Sequence, residues 1–222
     1  MPLPTFFNLT EEKRQKFLDC AIDEFASHDY NTASISNIVR RLGIAKGSLY
    51  QYFEDKEDLH HYLLDLASEK KTELMTGFSP QNTGASVLET LKGLFSVMVT
   101  FEIRYPKLAE IGSRAIRSGK PLPGDIVDKA RQATQEYLRD LVESGKKTGQ
   151  IRAEVDSNLA AFYFSSALAA MGEYIKSRSY YGFSEGEAEE NRFKQARLEK
   201  AFDQIIDIFQ YGISNPWNMG GA

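Results

Sequence analysis

Apolar residues recur at three- and four-residue spacing along most of the chain, the pattern of helices that bury one face. Phe17, Leu18, Ala21, Ile22 and Phe25 form the first such stripe, entered through Thr10 as a candidate N-cap, with Glu11 and Glu12 against the positive helix start. The turn formers His28, Asp29, Tyr30 and Asn31 break it, so this helix is expected to end near Ser27. A short second set follows, Ile35, Ile38, Val39 and Leu42, with Ser34 as its candidate N-cap. Gly43 comes next, where a helix end commonly takes a left-handed residue, and Ala45 to Phe53 is expected to form a third helix with Leu49 and Phe53 inward. Two short helices meeting at a glycine suggest a helix-turn-helix. Asp55 then caps a longer helix from Lys56 to about Leu74, whose Leu59, Leu63 and Leu66 share a face that must pack on something.

Ser79 to Gly84 and Ser118 to Asp125, with their prolines and glycines, read as loops. Helices are expected at about 85–104, 106–117, 126–147, 158–177 and 187–210, and no β-branched alternation competes with them. The fold class is therefore all-α, with about nine helices. An N-terminal three-helix, helix-turn-helix domain at 1–56 is followed by a connecting helix at 57–79 and a C-terminal helical domain at 80–222.

Composition narrows the function classes. With 222 residues and 42% hydrophobic content the chain can bury a sizeable core. Its longest apolar runs, such as Leu159 to Met171, are interrupted by serine and fall short of the roughly 18 to 20 residues of a membrane span. Met1 to Thr10 has no basic flank and apolar stretch of an export signal, so a cytoplasmic protein without a membrane partner is expected. Cys20, the one cysteine, can make neither an internal disulfide nor a sulfur-rich metal site. His28, His60 and His61 form no metal-ligand spacing, and neither a Gly-rich phosphate loop nor a Gly-x-Ser-x-Gly turn is present. No catalytic residue, metal or cofactor is expected, and the chain does not read as an enzyme.

Net charge gives no reason to invoke nucleic acid: it is -4, and residues 1–56 carry seven Lys or Arg against eight Asp or Glu. The distribution changes the picture, because Asn31 to Phe53 contains Arg40, Arg41 and Lys46 and no acidic residue. A positive face on an acidic protein suits DNA. On the third helix Gly47, Ser48 and Gln51 point away from Leu49 and Phe53. This small polar face can enter a major groove, where the Ser48 hydroxyl and Gln51 amide can meet base edges and Gly47 permits close approach. Tyr50 and Tyr52 flank it, with hydroxyls placed for phosphate oxygens. Lys46 and Lys56 add long cationic arms near helix starts, Lys46 suiting base or phosphate alike. Arg40 and Arg41 fit a backbone contact and a solvated face equally well.

Phe25 through Leu59 resembles the DNA-binding signature of the TetR family of bacterial repressors. The resemblance rests on Phe25, the turn at Tyr30, Thr32 with Ser34, Ile38, Leu42-Gly43-Ile44, Lys46-Gly47-Ser48-Leu49-Tyr50, Tyr52-Phe53 and Lys56-Glu57-Asp58-Leu59, all without a gap. It implies a DNA-contact role for Ser34, Ser36, Asn37, Lys46, Ser48, Tyr50, Gln51, Tyr52 and Lys56. One departure is Ala45, where the family often has a serine or threonine that caps the recognition helix.

Beyond about Leu74 the resemblance thins, although Gly149-Gln150-Ile151-Arg152 followed by Asp156 is similar to the junction many members place before the penultimate helix. The last two helices, around Phe162 to Ile175 and Phe193 to Phe209, resemble the pair that forms a four-helix dimer interface. The resemblance thus implies a homodimer reading a two-fold operator, with residues 80–222 serving regulation and dimerisation. Phe95, Met98, Phe101, Tyr105, Tyr137, Leu141, Phe164, Leu168, Met171 and Tyr174 are candidate walls of a cavity for a small apolar or amphipathic effector, though each taken singly fits plain core better. Release from DNA would follow if the effector prefers a conformation with wrongly spaced recognition helices. A regulator controlled by a protein partner, without a small effector, is the alternative.

Overall fold

The computed structural model describes residues 2–76, 85–118, 124–177 and 188–211. The expected loop at Ser79 to Gly84 and the centre of the one at Ser118 to Asp125 lie outside them. The described residues are all-helical: α1 (Pro4–Phe7), α2 (Glu11–Ser27), α3 (Ile35–Leu42), α4 (Lys46–Leu49), α5 (Lys56–Thr76), α6 (Val87–Arg104), α7 (Pro106–Ser118), α8 (Gly124–Lys147), α9 (Ser157–Ser177) and α10 (Ala188–Tyr211). None is long and apolar enough to cross a membrane, among the described residues.

Two compact units divide the chain: Met1–Thr72 with Tyr105–Ala130, and Glu73–Arg104 with Arg131–Ala222. The first unit therefore takes in α7, which falls within the span 80–222 assigned to the regulatory part from sequence. α7 packs on α2 and buries Leu108, Ala109, Ile111 and Ala115. At their polar edges Lys107 pairs with Asp23 at 2.9 Å and Arg114 with Asp29 at 2.8 Å.

Starts and stops in this unit follow local chemistry. The Thr10 hydroxyl accepts from the Lys13 N–H at the head of α2, and Asp55 Oδ1 accepts from the Asp58 N–H at 2.8 Å at the head of α5. α1 has no counterpart in the periodicity. Its Phe6 is fully buried, with ring centroids 5.0 to 6.2 Å from Phe17, Phe53, Tyr52 and Tyr62. This aromatic cluster ties the N-terminal segment to α2, α5 and residues 52–53 after α4, and closing such a site over one phenylalanine is worth about 2–3 kcal/mol.

The second unit is built on Val87, Leu91, Phe95 and Val99 of α6, Leu138 of α8, Ala161 and Leu168 of α9, and Phe202 and Ile206 of α10. Phe95 and Phe202 stack flat, with centroids 4.0 Å apart and planes within 3°. The Gly149 motif is the joint of this unit. Gly149 ends α8 with a φ of 74°, Gln150 Oε1 accepts the Val87 N–H at 2.9 Å, and Asp156 Oδ1 caps α9 through the Leu159 N–H at 2.9 Å.

Candidate nucleic-acid interface

α3 and α4 meet at Gly43, whose φ of 70° is the left-handed conformation expected there. The Gly43 N–H bonds back to the Arg40 carbonyl and that of Ile44 to Val39, so the chain leaves α3 in a tight turn. α4 then begins at Ala45 without a side-chain cap. It is shorter than the 45–53 expected: regular helix covers Lys46–Leu49, after which the Gln51 N–H reaches back to Ser48 and that of Tyr52 to Leu49, three residues each. Tertiary contacts account for the tightening. Leu49 and Phe53 are both fully buried, and α1 supplies partners at the end of the turn. The Leu3 N–H donates to the Tyr52 carbonyl at 2.8 Å, and the Thr5 hydroxyl to that of Gln51.

The expected outer face exists. Lys46, Gly47, Tyr50 and Gln51 are exposed and Ser48 is half-buried, opposite the buried Leu49 and Phe53. Tyr50 stands 48% open, whereas Tyr52 is half-buried with its ring edge-on to Phe17 at 5.8 Å. The two tyrosines, symmetrical on a helical wheel, thus differ: one projects, and the other anchors the turn.

On α3, Ser36 is exposed while Ser34 and Asn37 are half-buried. Ser34 occupies the N-cap, but its side chain makes no cap bond. Glu24 of α2, only 4% exposed, does that work: its Oε1 accepts the Ser34 N–H at 2.8 Å and the Asn37 Nδ2 at 3.1 Å. Asn37 Oδ1 in turn accepts from the Arg40 guanidinium at 2.9 Å. Arg41 turns the other way and bonds Asp23 at 2.6 Å. Burial pushes the Asp23 carboxyl up, but hydrogen bonds and charge from Arg41 and Lys107 outweigh it and hold the group below its ordinary range. Lys56 is folded back, with Nζ 4.6 Å over the Tyr30 ring and 3.4 Å from the Asn31 carbonyl. Burial there lowers its pKa against the pull of Glu24.

Glu24 was missed in the sequence, yet a signal was present. It lies three residues after Ala21 and seven after Phe17, on the inward stripe, where an acidic residue needs a partner.

The effector candidates are not all brought together. Phe95 and Leu168 belong to the core of the second unit, and Met98, Leu141 and Phe164 are partly buried against it. Phe101 is buried, Tyr137 is 39% exposed, and Tyr105 belongs to the first unit. The side chains of Met171 and Tyr174 lie outside the described residues.

The profile of the bacterial regulatory proteins of the tetR family matches residues 17–63, which span α2 to the middle of α5. The fatty acid metabolism regulator protein of Bacillus subtilis is 23% identical over 154 residues, 68% of this chain and 78% of that protein. The crystal structure of the Bacillus subtilis regulator FadR in complex with stearoyl-CoA shares the fold, with a TM-score of 0.66 at 18% identity over 90% of this chain and 99% of that one. A TetR family transcriptional regulator of Chloroflexus aurantiacus is 36% identical, covers 96% of this chain and 98% of its own, and superposes with a TM-score of 0.80. Likeness of that extent, together with the helix-turn-helix geometry, shows that the chain belongs to the TetR family of bacterial transcriptional regulators, DNA-binding proteins rather than enzymes.

Proposed function

We propose that this regulator is a repressor that grips a palindromic operator as a homodimer and is released by a small apolar or amphipathic effector. The observation that carries the DNA half is the division of residues 46–53, α4 and the turn after it: Leu49 and Phe53 fully buried, Gly47, Tyr50 and Gln51 exposed. A turn this short offers a narrow polar edge to the major groove, with Ser48 and Gln51 toward bases and Tyr50 and Lys46 toward the backbone. Ser34 and Ser36 extend the contact to the start of α3. Tyr52 and Lys56 keep a supporting role, since one packs in the aromatic cluster and the other on Tyr30.

Exposed apolar side chains on the last two helices support the dimer. Leu159 is 66% exposed, Phe162 57%, Tyr163 55%, Ile208 45% and Tyr211 65%. Residues 159, 162 and 163 of α9 share one face, as do 208 and 211 of α10, and large side chains left in water on one face of a helix favour a second copy. Two copies would present two reading turns to a two-fold site.

Residues 1–56 are accordingly proposed as the DNA-reading domain, 57–79 as the connecting helix and 80–222 as the regulatory and dimerisation domain. Met98, Leu141 and Phe164, apolar and packed against the core of the second unit, and the buried Phe101 are the proposed effector contacts. The stearoyl-CoA bound by the FadR neighbour makes long-chain acyl thioesters the first probes. Selection from randomised duplex DNA, followed by titration of the enriched duplex with acyl thioesters, tests the reading. Enrichment of a palindrome, and its release by a ligand, is the expected outcome. An operator bound equally well with every tightly binding ligand would refute effector control and favour a protein partner.

A further inference from the structure

Building on the DNA-reading assignment, we infer that Asn37 acts through Arg40: buried Glu24 orients the Asn37 amide so that its oxygen holds the Arg40 guanidinium at the DNA-facing edge of α3, and Arg40 meets a backbone phosphate.

The orientation of the amide is dictated from both sides. Glu24 is 4% exposed, and a carboxyl oxygen that takes a backbone N–H is acting as an acceptor. Its Oε1, already receiving the Ser34 N–H at 2.8 Å, receives Asn37 Nδ2 at 3.1 Å. Asn37 Oδ1 is thereby aimed at Arg40, whose Nη2 donates to it at 2.9 Å. Flipping the amide would set oxygen against carboxylate and NH2 against guanidinium, replacing two hydrogen bonds with two repulsions. Asparagine reads adenine by offering both ends of its amide to the base edge. Here both ends are engaged within the protein, which argues for positioning rather than base reading.

Arg40 is exposed and lies four residues after Ser36, on the same stripe of α3. A guanidinium carries five N–H donors, so the single bond to Asn37 leaves a fork for a phosphate. Arg41 is bonded to Asp23 on the other side of the helix. The two adjacent arginines therefore have different tasks: Arg41 braces α2, and Arg40 is the contact.

The test uses the full-length protein and the duplex that the wild type enriches from a randomised pool. Affinities are measured across a salt series for Asn37→Ala, Arg40→Ala, the double variant and Glu24→Gln, and selection is repeated with Asn37→Ala. Arg40→Ala should weaken binding about tenfold and flatten the log–log salt slope by about 0.9 per lost phosphate contact, roughly two per dimer. Asn37→Ala should leave the selected sequence unchanged and cost little more once Arg40 is gone. Glu24→Gln, which keeps an acceptor for the amide, should bind within about threefold of wild type. A changed sequence preference in Asn37→Ala, or its full loss added to that of Arg40→Ala, would make Asn37 a direct base contact and overturn the inference. An unaltered salt slope in Arg40→Ala would overturn it as well. If the wild type itself enriches nothing, the DNA-reading assignment falls and takes this inference with it.

Discussion

Replacing His60 by phenylalanine should remove a loss of stability that the protein suffers on acidification. His60 is 3% exposed, its ring lies 5.1 Å from those of Phe25 and Tyr30, and its Nδ1 finds no hydrogen-bond partner among the described residues. Burial, and then the positive charges of His61 and Lys56, lower its pKa from 6.5 to about 4. Above pH 6.5 neither folded nor unfolded chain holds the proton, and the group adds no pH dependence. Between 6.5 and about 4 the unfolded chain takes up a proton that the folded chain refuses, so stability falls as pH falls. At about 1.4 kcal/mol per pH unit the whole window is worth about 3 kcal/mol, and below it the loss levels off. Urea unfolding followed by circular dichroism, on wild type and His60→Phe at pH values stepped through the window, reads the difference directly. Ionisation of the other carboxylates and histidines cancels in that difference. The variant should be as stable as wild type or slightly more so at neutral pH, because it removes an orphan nitrogen, and should gain relative to wild type at each step downward. A wild-type-minus-variant difference that stays flat across the window would refute the reasoning.

Three further outcomes can be checked on the same protein. Phe6→Ala should cost about 3–5 kcal/mol in urea unfolding, because a fully buried ring with five aromatic neighbours leaves a cavity. Gly145→Ala should lower the melting temperature despite alanine's better helix propensity. A Cβ there would sit 2.6 Å from Val87 Cγ2 and 3.0 Å from Ile151 Cδ1, and overpacking of that kind costs about 1–3 kcal/mol against about 1 kcal/mol gained. Phe162→Glu should shift the protein toward monomer in sedimentation equilibrium with its circular dichroism spectrum unchanged, since the residue is 57% exposed on a single chain. An unchanged dimer would move the interface away from that face of α9.

The long helices were readable because each buries one stripe and each end carries its own chemistry. Thr10, Asp55 and Gly43 act locally, so their roles follow from the neighbours they have in sequence. What escaped is what depends on distant partners. α1 spans four residues, too few to show a period, and Phe6 is inside only because Phe17, Phe53 and Tyr62 surround it. Tyr50 and Tyr52 look alike on a wheel, and the aromatic cluster alone separates the projecting ring from the anchored one. The effector residues resisted for another reason. Apolar side chains at helical spacing are required by the core whether or not a ligand enters, and Phe95, stacked on Phe202, satisfies that requirement fully.

The brevity of α4 bears on how such a reader can be selective. Four helical residues make one turn, and an isolated turn of that length is not stable in water. Its geometry must therefore come from its two ends. At one end the left-handed Gly43 fixes the exit from α3; at the other, Leu3 and Thr5 hold the carbonyls of Tyr52 and Gln51 while Phe53 and Leu49 are buried. Ser48, Tyr50 and Gln51 sit between these clamps on a backbone that has little freedom left. Positioning of that kind lets short polar side chains discriminate bases, because the conformational entropy lost on binding DNA has already been surrendered on folding. On the proposed reading, Phe6 then bears on DNA affinity without facing the groove, through its packing against Tyr52 and Phe53 at the end of that turn.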